Sequence, residues 1–207
     1  MGGVTDALEI LPLTPKRLPD LATLFNQGGD PKWCWCSFFR VRNVDFANAT
    51  AATNRTVLEK AVRTTARDKR HPGLVAYRDG EPIGWVSLGP RDDYLRLQHS
   101  KVMAPVDDKP VWSIVCFVVS RRARKQGVAH ALLEAAIGYA REHGATLLEA
   151  YPVDTDGERV PAAHAYKGTI GMFERVGFEE VARRRATPTS APRPIVRRRV
   201  RPARRSG

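Results

Sequence analysis

The segment VWSIVCFVV (111–119) runs through the basic turn SRRARKQG into VAHALLEAAIGYAREHG, and this unit constrains the fold more than any other part of the chain. A β-branched, aromatic run with few polar residues predicts a strand buried on both faces. Beyond it, Leu132, Leu133, Ala136, Ile137 and Ala140 recur with helical spacing, so a helix from about 127 to 143 turns one face to the core and stops at Gly144. A strand that enters a helix through Arg121, Arg122, Arg124, Lys125 and Gly127 presents free backbone N–H groups at the positive end of the helix dipole. Such a terminus either seats an anion such as pyrophosphate or is a solvated cationic turn. Neither GxxxxGK[ST] nor GxGxxG occurs.

The flanking segments extend this unit to a single α/β domain. ALEILPLT (7–14) reads as a short strand, and TPKRLPDLATLFNQ reads as a helix with Thr14 as cap and Pro15 at its first position. TNRTVLEKAVRTTARDKR predicts a second helix with Val57, Ala61 and Val62 on one side. Residues 73–78 and 82–89 alternate around Asp79-Gly80, a hairpin signal. The polar, proline-punctuated stretch 90–110 is a long connection of the mobile or functional kind. ATLLEAYPV (145–153) predicts a strand, DTDGERVPA a loop, and 163–175 a helix closed by Gly177. FEEVARRR and RPIVRRRV predict two closing strands, a solvated edge that discourages aggregation being the competing reading of the basic C-terminal stretch. Alternating strands and helices with hairpins at both ends imply a mixed β-sheet flanked by helices.

Composition removes several function classes. No apolar run in the 207 residues approaches the ~20 needed to span a bilayer, and the N-terminus lacks the pattern of a secretory signal. Three cysteines suit reduced thiols, so a cytoplasmic location is expected. The net charge is +12, but residues 183–207 hold ten arginines and no Asp, Glu or Lys, which leaves +2 for the rest. A nucleic-acid role would rest on the C-terminus alone and is not expected of the body.

Two motifs carry a resemblance. Arg124-Lys125-Gln126-Gly127-Val128-Ala129 after Val119 resembles the acetyl-CoA signature [RQ]xxGx[GA] of the GNAT superfamily of N-acetyltransferases, and MFERVGF (172–178) resembles that family's motif around YEKxGF. The match spans 73–200. It implies a GNAT-like domain over 1–200, with a variable acceptor-side front end (1–70), an acetyl-CoA-binding core (111–178) and a basic tail (201–207). It also implies a splayed sheet with acetyl-CoA, the co-substrate, between the 111–119 and 145–153 strands. Backbone groups of Phe117, Val118 and Val119 would pair with the pantetheine arm. The amides of Arg124, Lys125, Gln126, Gly127, Val128, Ala129 and His130 would hold the pyrophosphate. The family's tyrosine that protonates the departing thiolate is replaced here by Phe173, which has no proton to give. Tyr166, where the family often has an Asn, is the candidate for pantetheine contact and for the acid, packing alone being the competing reading.

The expected activity is acetyl transfer from acetyl-CoA to a primary amine by direct attack in a ternary complex, the acceptor being a small molecule or a protein. A catalytically weakened coenzyme-binding module and a nucleic-acid-associated protein acetyltransferase are the alternatives. Glu149 is the candidate base, with Asp154 as substitute and a structural ion pair as the competing role. Trp33-Cys34-Trp35-Cys36 either builds an aromatic acceptor pocket or packs in the core. Two thiols without further ligands at metal spacing make no closed site, so no metal is expected. No membrane partner is expected; a homodimer is allowed.

Overall fold

The computed structural model describes residues 8–27, 29–155 and 165–203. Strand β1 (Glu9–Pro12) leads through a 3-10 turn, Pro15–Arg17, to α1 (Leu18–Phe25). Short helices α2 (Pro31–Cys34) and α3 (Asn43–Ala47) precede α4 (Ala51–Ala66). The hairpin β2 (Gly73–Arg78) and β3 (Glu81–Pro90) follows, then a 3-10 turn, Arg91–Asp93, and α5 (Leu95–His99). Strand β4 (Trp112–Val119) passes through the basic turn into α6 (Val128–Glu142). The chain closes with β5 (Leu147–Ala150), α7 (Ile170–Glu174), β6 (Glu179–Arg184) and β7 (Arg193–Arg199).

The seven strands form one sheet in the order β1-β2-β3-β4-β5-β7-β6, antiparallel except where β4 and β5 run parallel. Asp79 (φ 50°) and Gly80 (φ 77°) form the hairpin turn, the two left-handed residues that a two-residue connection of this twist requires. One face of the sheet buries Leu132, Leu133, Ala136, Ile137 and Ala140 of α6. Gly84 permits that approach, because a Cβ there would stand 2.9 Å from Val128 Cγ1. The other face packs Trp85 and Val115 against Leu21, Phe25, Leu58 and Val62 of the front end. Among the described residues no helix is long and apolar enough to cross a membrane.

Several expectations change. The segment after Thr14 opens with a 3-10 turn, and Thr14 makes no side-chain cap bond. The second helix starts earlier than expected, at a Thr50–Thr53 capping box, and buries Asn54, Leu58 and Val62 while Val57 is only half-buried. The predicted helix 163–175 is two pieces. A 3-10 turn at Ala165–Lys167 ends in Gly168 (φ 76°), the Gly168 carbonyl accepts from Val153 N (2.9 Å), and the short α7 begins after Thr169. Tyr166 and Phe173 therefore do not share one helical face. The start of that predicted helix (163–164), most of the 154–162 loop and the end of the tail (204–207) lie outside the described residues. RPIVRRRV is not an edge: β7 is inserted between β5 and β6, and β6 is the outer strand.

The parallel pair defines the opening in the sheet. β4 and β5 pair only at Trp112↔Leu148, Ser113↔Glu149 and Ile114↔Ala150, and β4 runs on to Val119 with no neighbour on that side. At this fork Glu149, 0% exposed, accepts from Arg91 Nη1 (2.7 Å), Arg197 Nε (2.8 Å) and the Tyr151 hydroxyl. Arg91 Nη2 also donates to the carbonyls of Leu97 (2.8 Å) and Met103 (2.5 Å), and Arg197 reaches Asp107 (2.9 Å). The 90–110 connection is thus fastened to the sheet by a buried ion cluster, with Tyr94 and Leu97 fully buried beneath it.

Removing one member of a buried ion cluster leaves its partners as uncompensated charges. Glu149→Gln should lower stability in urea denaturation by about 3–5 kcal/mol. A loss below about 1 kcal/mol would show that the cluster does not hold the fork together.

Candidate active site

Where β4 outruns β5, a cleft of about 920 Å³ opens between β4, the basic turn and the front end. One side is lined by Phe117, Val118, Val119, Arg124 and Ala129, and the other by Trp33, Cys34, Cys36, Phe38, Phe39 and Phe46. Cys116 and Tyr166 also line it. The aromatic wall is built edge to face: Trp33–Phe46 at 4.7 Å, Phe38–Phe46 at 5.1 Å and Phe38–Tyr166 at 6.4 Å between ring centroids.

The Trp-Cys-Trp-Cys segment divides its residues between wall and core. Trp35 (φ 46°) and Cys36 (φ 48°) are consecutive left-handed residues, costly for side chains of this bulk. Asn54 of α4 clasps the turn, donating to the Trp33 carbonyl (3.0 Å) and accepting from Ser37 Oγ (2.6 Å). The result drives Trp35 inward against Phe25 (5.4 Å), so of the four expected pocket residues Trp35 is a core side chain and does not line the cleft. Cys36 Sγ stands 2.9 Å from Cys116 Sγ and accepts from Trp85 Nε1 (3.2 Å). The bond from Cys36 and then burial push the Cys34 thiol far up; burial and then Cys116 do the same to Cys36. Both stay protonated, which suits neither a nucleophile nor a metal ligand. Among the described residues no group of three potential ligands could hold a metal ion.

The basic turn has the features of an anion seat. Lys125 (φ 62°) and Gly127 (φ 77°) are both left-handed, and Gly127 precedes the first turn of α6. No side chain caps that turn and no acid lies in it, so its leading N–H groups face outward. A Cβ on Gly127 would meet nothing within 4 Å, which leaves room for a bulky anion above the backbone. Arg124 is exposed at the cleft, and Lys125 is exposed beside it. Gln126 donates to the Arg122 carbonyl (2.7 Å) and accepts from Arg78, which stiffens the loop. Ser120 Oγ and His130 Nδ1 are buried polar atoms without a partner, and His130 Nε2 lies 3.7 Å from Glu134. Val128 is buried against the sheet, so only its backbone belongs to the turn's outer surface.

The remaining candidates separate. Phe173 is fully buried against Phe117 (6.2 Å) and Phe178 (5.1 Å) and is a core residue, not a lining one. Glu149 does not line the cleft, and its oxygens are committed to Arg91, Arg197 and Tyr151. Its expected role as base gives way to a structural one. Asp154 is paired with Arg183 (2.5 Å). Tyr166 is half-buried in the cleft wall, and burial followed by the neighbouring Cys116 pushes its hydroxyl up to about 12. It stays protonated, yet is a weak acid.

Two residues that sequence reasoning passed over, Arg96 and Lys167, stand against this wall. The Arg96 guanidinium lies 3.7 Å from the Phe38 centroid, and Lys167 Nζ lies 5.5 Å from Tyr166 and 5.9 Å from Phe39. A single lysine in HAYKGTIGMF carries no periodicity that would mark it as buried.

A mixed sheet forked between two parallel strands, with an uncapped helix terminus at the mouth of the fork, is the arrangement of the GNAT acetyltransferase fold. The family model described as acetyltransferase (GNAT) family matches residues 34–178, and the chain belongs to this family. Among solved structures it is similar to a GNAT-family acetyltransferase from Streptococcus pneumoniae (TM-score 0.56, 16% identity, covering 94% of this chain and 99% of that one). It is also similar to a polyamine N-acetyltransferase of Drosophila melanogaster (0.60, 13%, 94% and 100%) and a ribosomal-protein-alanine N-acetyltransferase from Brucella melitensis (0.55, 20%, 93% and 99%). At these identities the likeness is one of fold. No curated protein matches the sequence.

Burial first, then Arg193 and Arg96, pull the Lys167 ammonium from its ordinary value of 10.5 down to about 8. The unfolded chain holds this proton more tightly, so the cost of burying the charge is complete below pH 8 and fades as pH rises to 10.5. Lys167→Met should stabilise the protein by roughly 2–4 kcal/mol at pH 7, and the gain should shrink toward pH 10.5. Thermal melts of both proteins across that range check it; a pH-independent difference would mean that Lys167 is not buried as a charge.

Proposed function

We propose that the protein is an N-acetyltransferase that moves an acetyl group from acetyl-CoA to a primary amine by direct attack within a ternary complex. One observation carries the reading. A single cleft joins the unpaired edge of β4, the uncapped start of α6 with open space over Gly127, and an aromatic chamber beyond them. These three parts match a long anionic thioester better than any compact ligand.

Acetyl-CoA supplies the thioester, whose carbonyl is the electrophile and whose thiol is the leaving group. Backbone groups of Phe117, Val118 and Val119, free of a β5 partner, would pair with the pantetheine amides. The N–H groups of the turn from Arg124 to His130 would hold the diphosphate, with charge from Arg124 and Lys125 and hydrogen bonds from Ser120 Oγ and His130. Tyr166, protonated and facing the cleft, would contact the pantetheine end near the sulfur. Its high pKa makes it a positioning group before it is an acid. An ammonium acceptor must shed a proton before its lone pair can attack. Asp30, the one carboxylate among the described lining residues, and water at the open mouth are the receivers in reach. The thiols of Cys34 and Cys36 stay neutral and so offer the thioester no competing nucleophile.

Gly127→Glu sets a side chain and a negative charge in the open space above the turn. Calorimetry should show acetyl-CoA affinity falling by a factor of about 100 or more, with the circular dichroism spectrum retained. Unchanged affinity would remove the turn from the binding site. Tyr166→Phe should lower turnover by about tenfold or less, below the usual effect of a lost general acid. A loss of several thousandfold with acetyl-CoA affinity intact would make Tyr166 the proton donor.

A further inference from the structure

Against the aromatic wall stand cations that no carboxylate among the described residues neutralises. Arg96 is 8% exposed; its Nε donates to the Phe38 carbonyl, but its Nη2 is buried without a hydrogen-bond partner. Lys167 is 6% exposed and makes no hydrogen bond or salt bridge among the described residues; its Nζ lies 5.5 Å from the Tyr166 ring centroid and 5.9 Å from that of Phe39. Arg193, at the first position of β7, is half-buried and lies near enough to both Lys167 and Tyr166 to act on their protonation. The other buried charged residues among those described are paired: Arg91 and Arg197 both hold Glu149. Unpaired buried cations are costly, and a ring face returns only part of the lost hydration.

The rings in contact with these cations, Phe38, Phe39 and Tyr166, are the ones that line the cleft. An anion at the edge of that wall meets electropositive ring hydrogens with guanidinium and ammonium charge close behind them. We infer that Arg96, Lys167 and Arg193 form the seat for an acidic group on the acceptor, so that the substrate is a small amine that also carries a carboxylate or phosphate. This rests on the acetyl-transfer reading of the cleft. The same charges repel a polycation, so di- and polyamines are the disfavoured acceptors.

The test uses matched acceptors with the whole protein: phenylalanine against 2-phenylethylamine, O-phosphoethanolamine against ethanolamine, and agmatine as a dication. Thiol release from acetyl-CoA should show kcat/KM at least tenfold higher for one acidic member than for its neutral partner, with agmatine lowest. Whichever pair shows the preference tells carboxylate from phosphate. In Lys167→Met and Arg193→Gln the preference should fall toward one. A wild-type preference below twofold, or one that survives in both variants, overturns the seat. Calorimetry with 3-phenylpropanoate and phenyl phosphate reads the seat without acetyl transfer. Binding that is lost in Lys167→Met supports the seat even if no amine is acetylated, a result that would overturn only the transferase reading. Failure of both anions to bind the wild type overturns the seat even if neutral amines are acetylated.

Discussion

At the base of the fork between β4 and β5, Glu149 holds two arginines. Parallel strands that part after three residue pairs leave backbone groups unpaired on both sides, and something must fix where the parting begins. Glu149 does so from the middle of β5: Arg197 reaches it from the paired position on β7 and Arg91 from the connection before β4. Arg91 goes on to bind two carbonyls of the 90–110 segment, so one carboxylate ties three stretches distant in sequence. The same arginine-to-carboxylate chain ends at Asp107, whose carboxyl Arg197 holds below its ordinary value.

The two ends of the cleft treat charge differently. At the basic turn the cations are exposed and the anion-seeking element is backbone: helix N–H groups that no side chain caps. At the aromatic end the cations are buried and rings, not water, surround them. A solvated cation attracts weakly and reversibly, whereas a desolvated one is discriminating, because only a matching anion relieves it. Between the two ends the thiols of Cys34 and Cys36 are held neutral.

What could be read from the sequence was local. The β4 run, the glycine-led helix and the Asp79-Gly80 hairpin follow from period and turn chemistry, and the structure has them within a residue or two. The basic turn was legible as a glycine-led, uncapped helix start because its elements are consecutive. The aromatic end was half legible: Trp33 lines the cleft, but Trp35 turns inward because two adjacent left-handed residues reverse the chain, and no glycine or asparagine announces them. The helix 163–175 failed for a similar reason, since Gly168 breaks it inside an otherwise apolar pattern. Arg91, Arg96 and Lys167 were invisible. A buried cation differs from a surface one only by what surrounds it, and those neighbours come from residues 38, 39, 149 and 166.

The forked sheet has a mechanical consequence. β3 and β4 are laced along most of their length, while β4 and β5 share three pairs, so the seam between a four-strand panel (β1 to β4) and a three-strand panel (β5, β7 and β6) is the weakest line across the molecule. Along the outer half of β4 the side facing β5 has no strand partner, so that edge contributes fewer of the backbone bonds that resist local opening. A ligand laid along the exposed edge takes the position of a missing strand. It would stitch the panels together, so that the rigidity of the whole sheet becomes a function of ligand concentration.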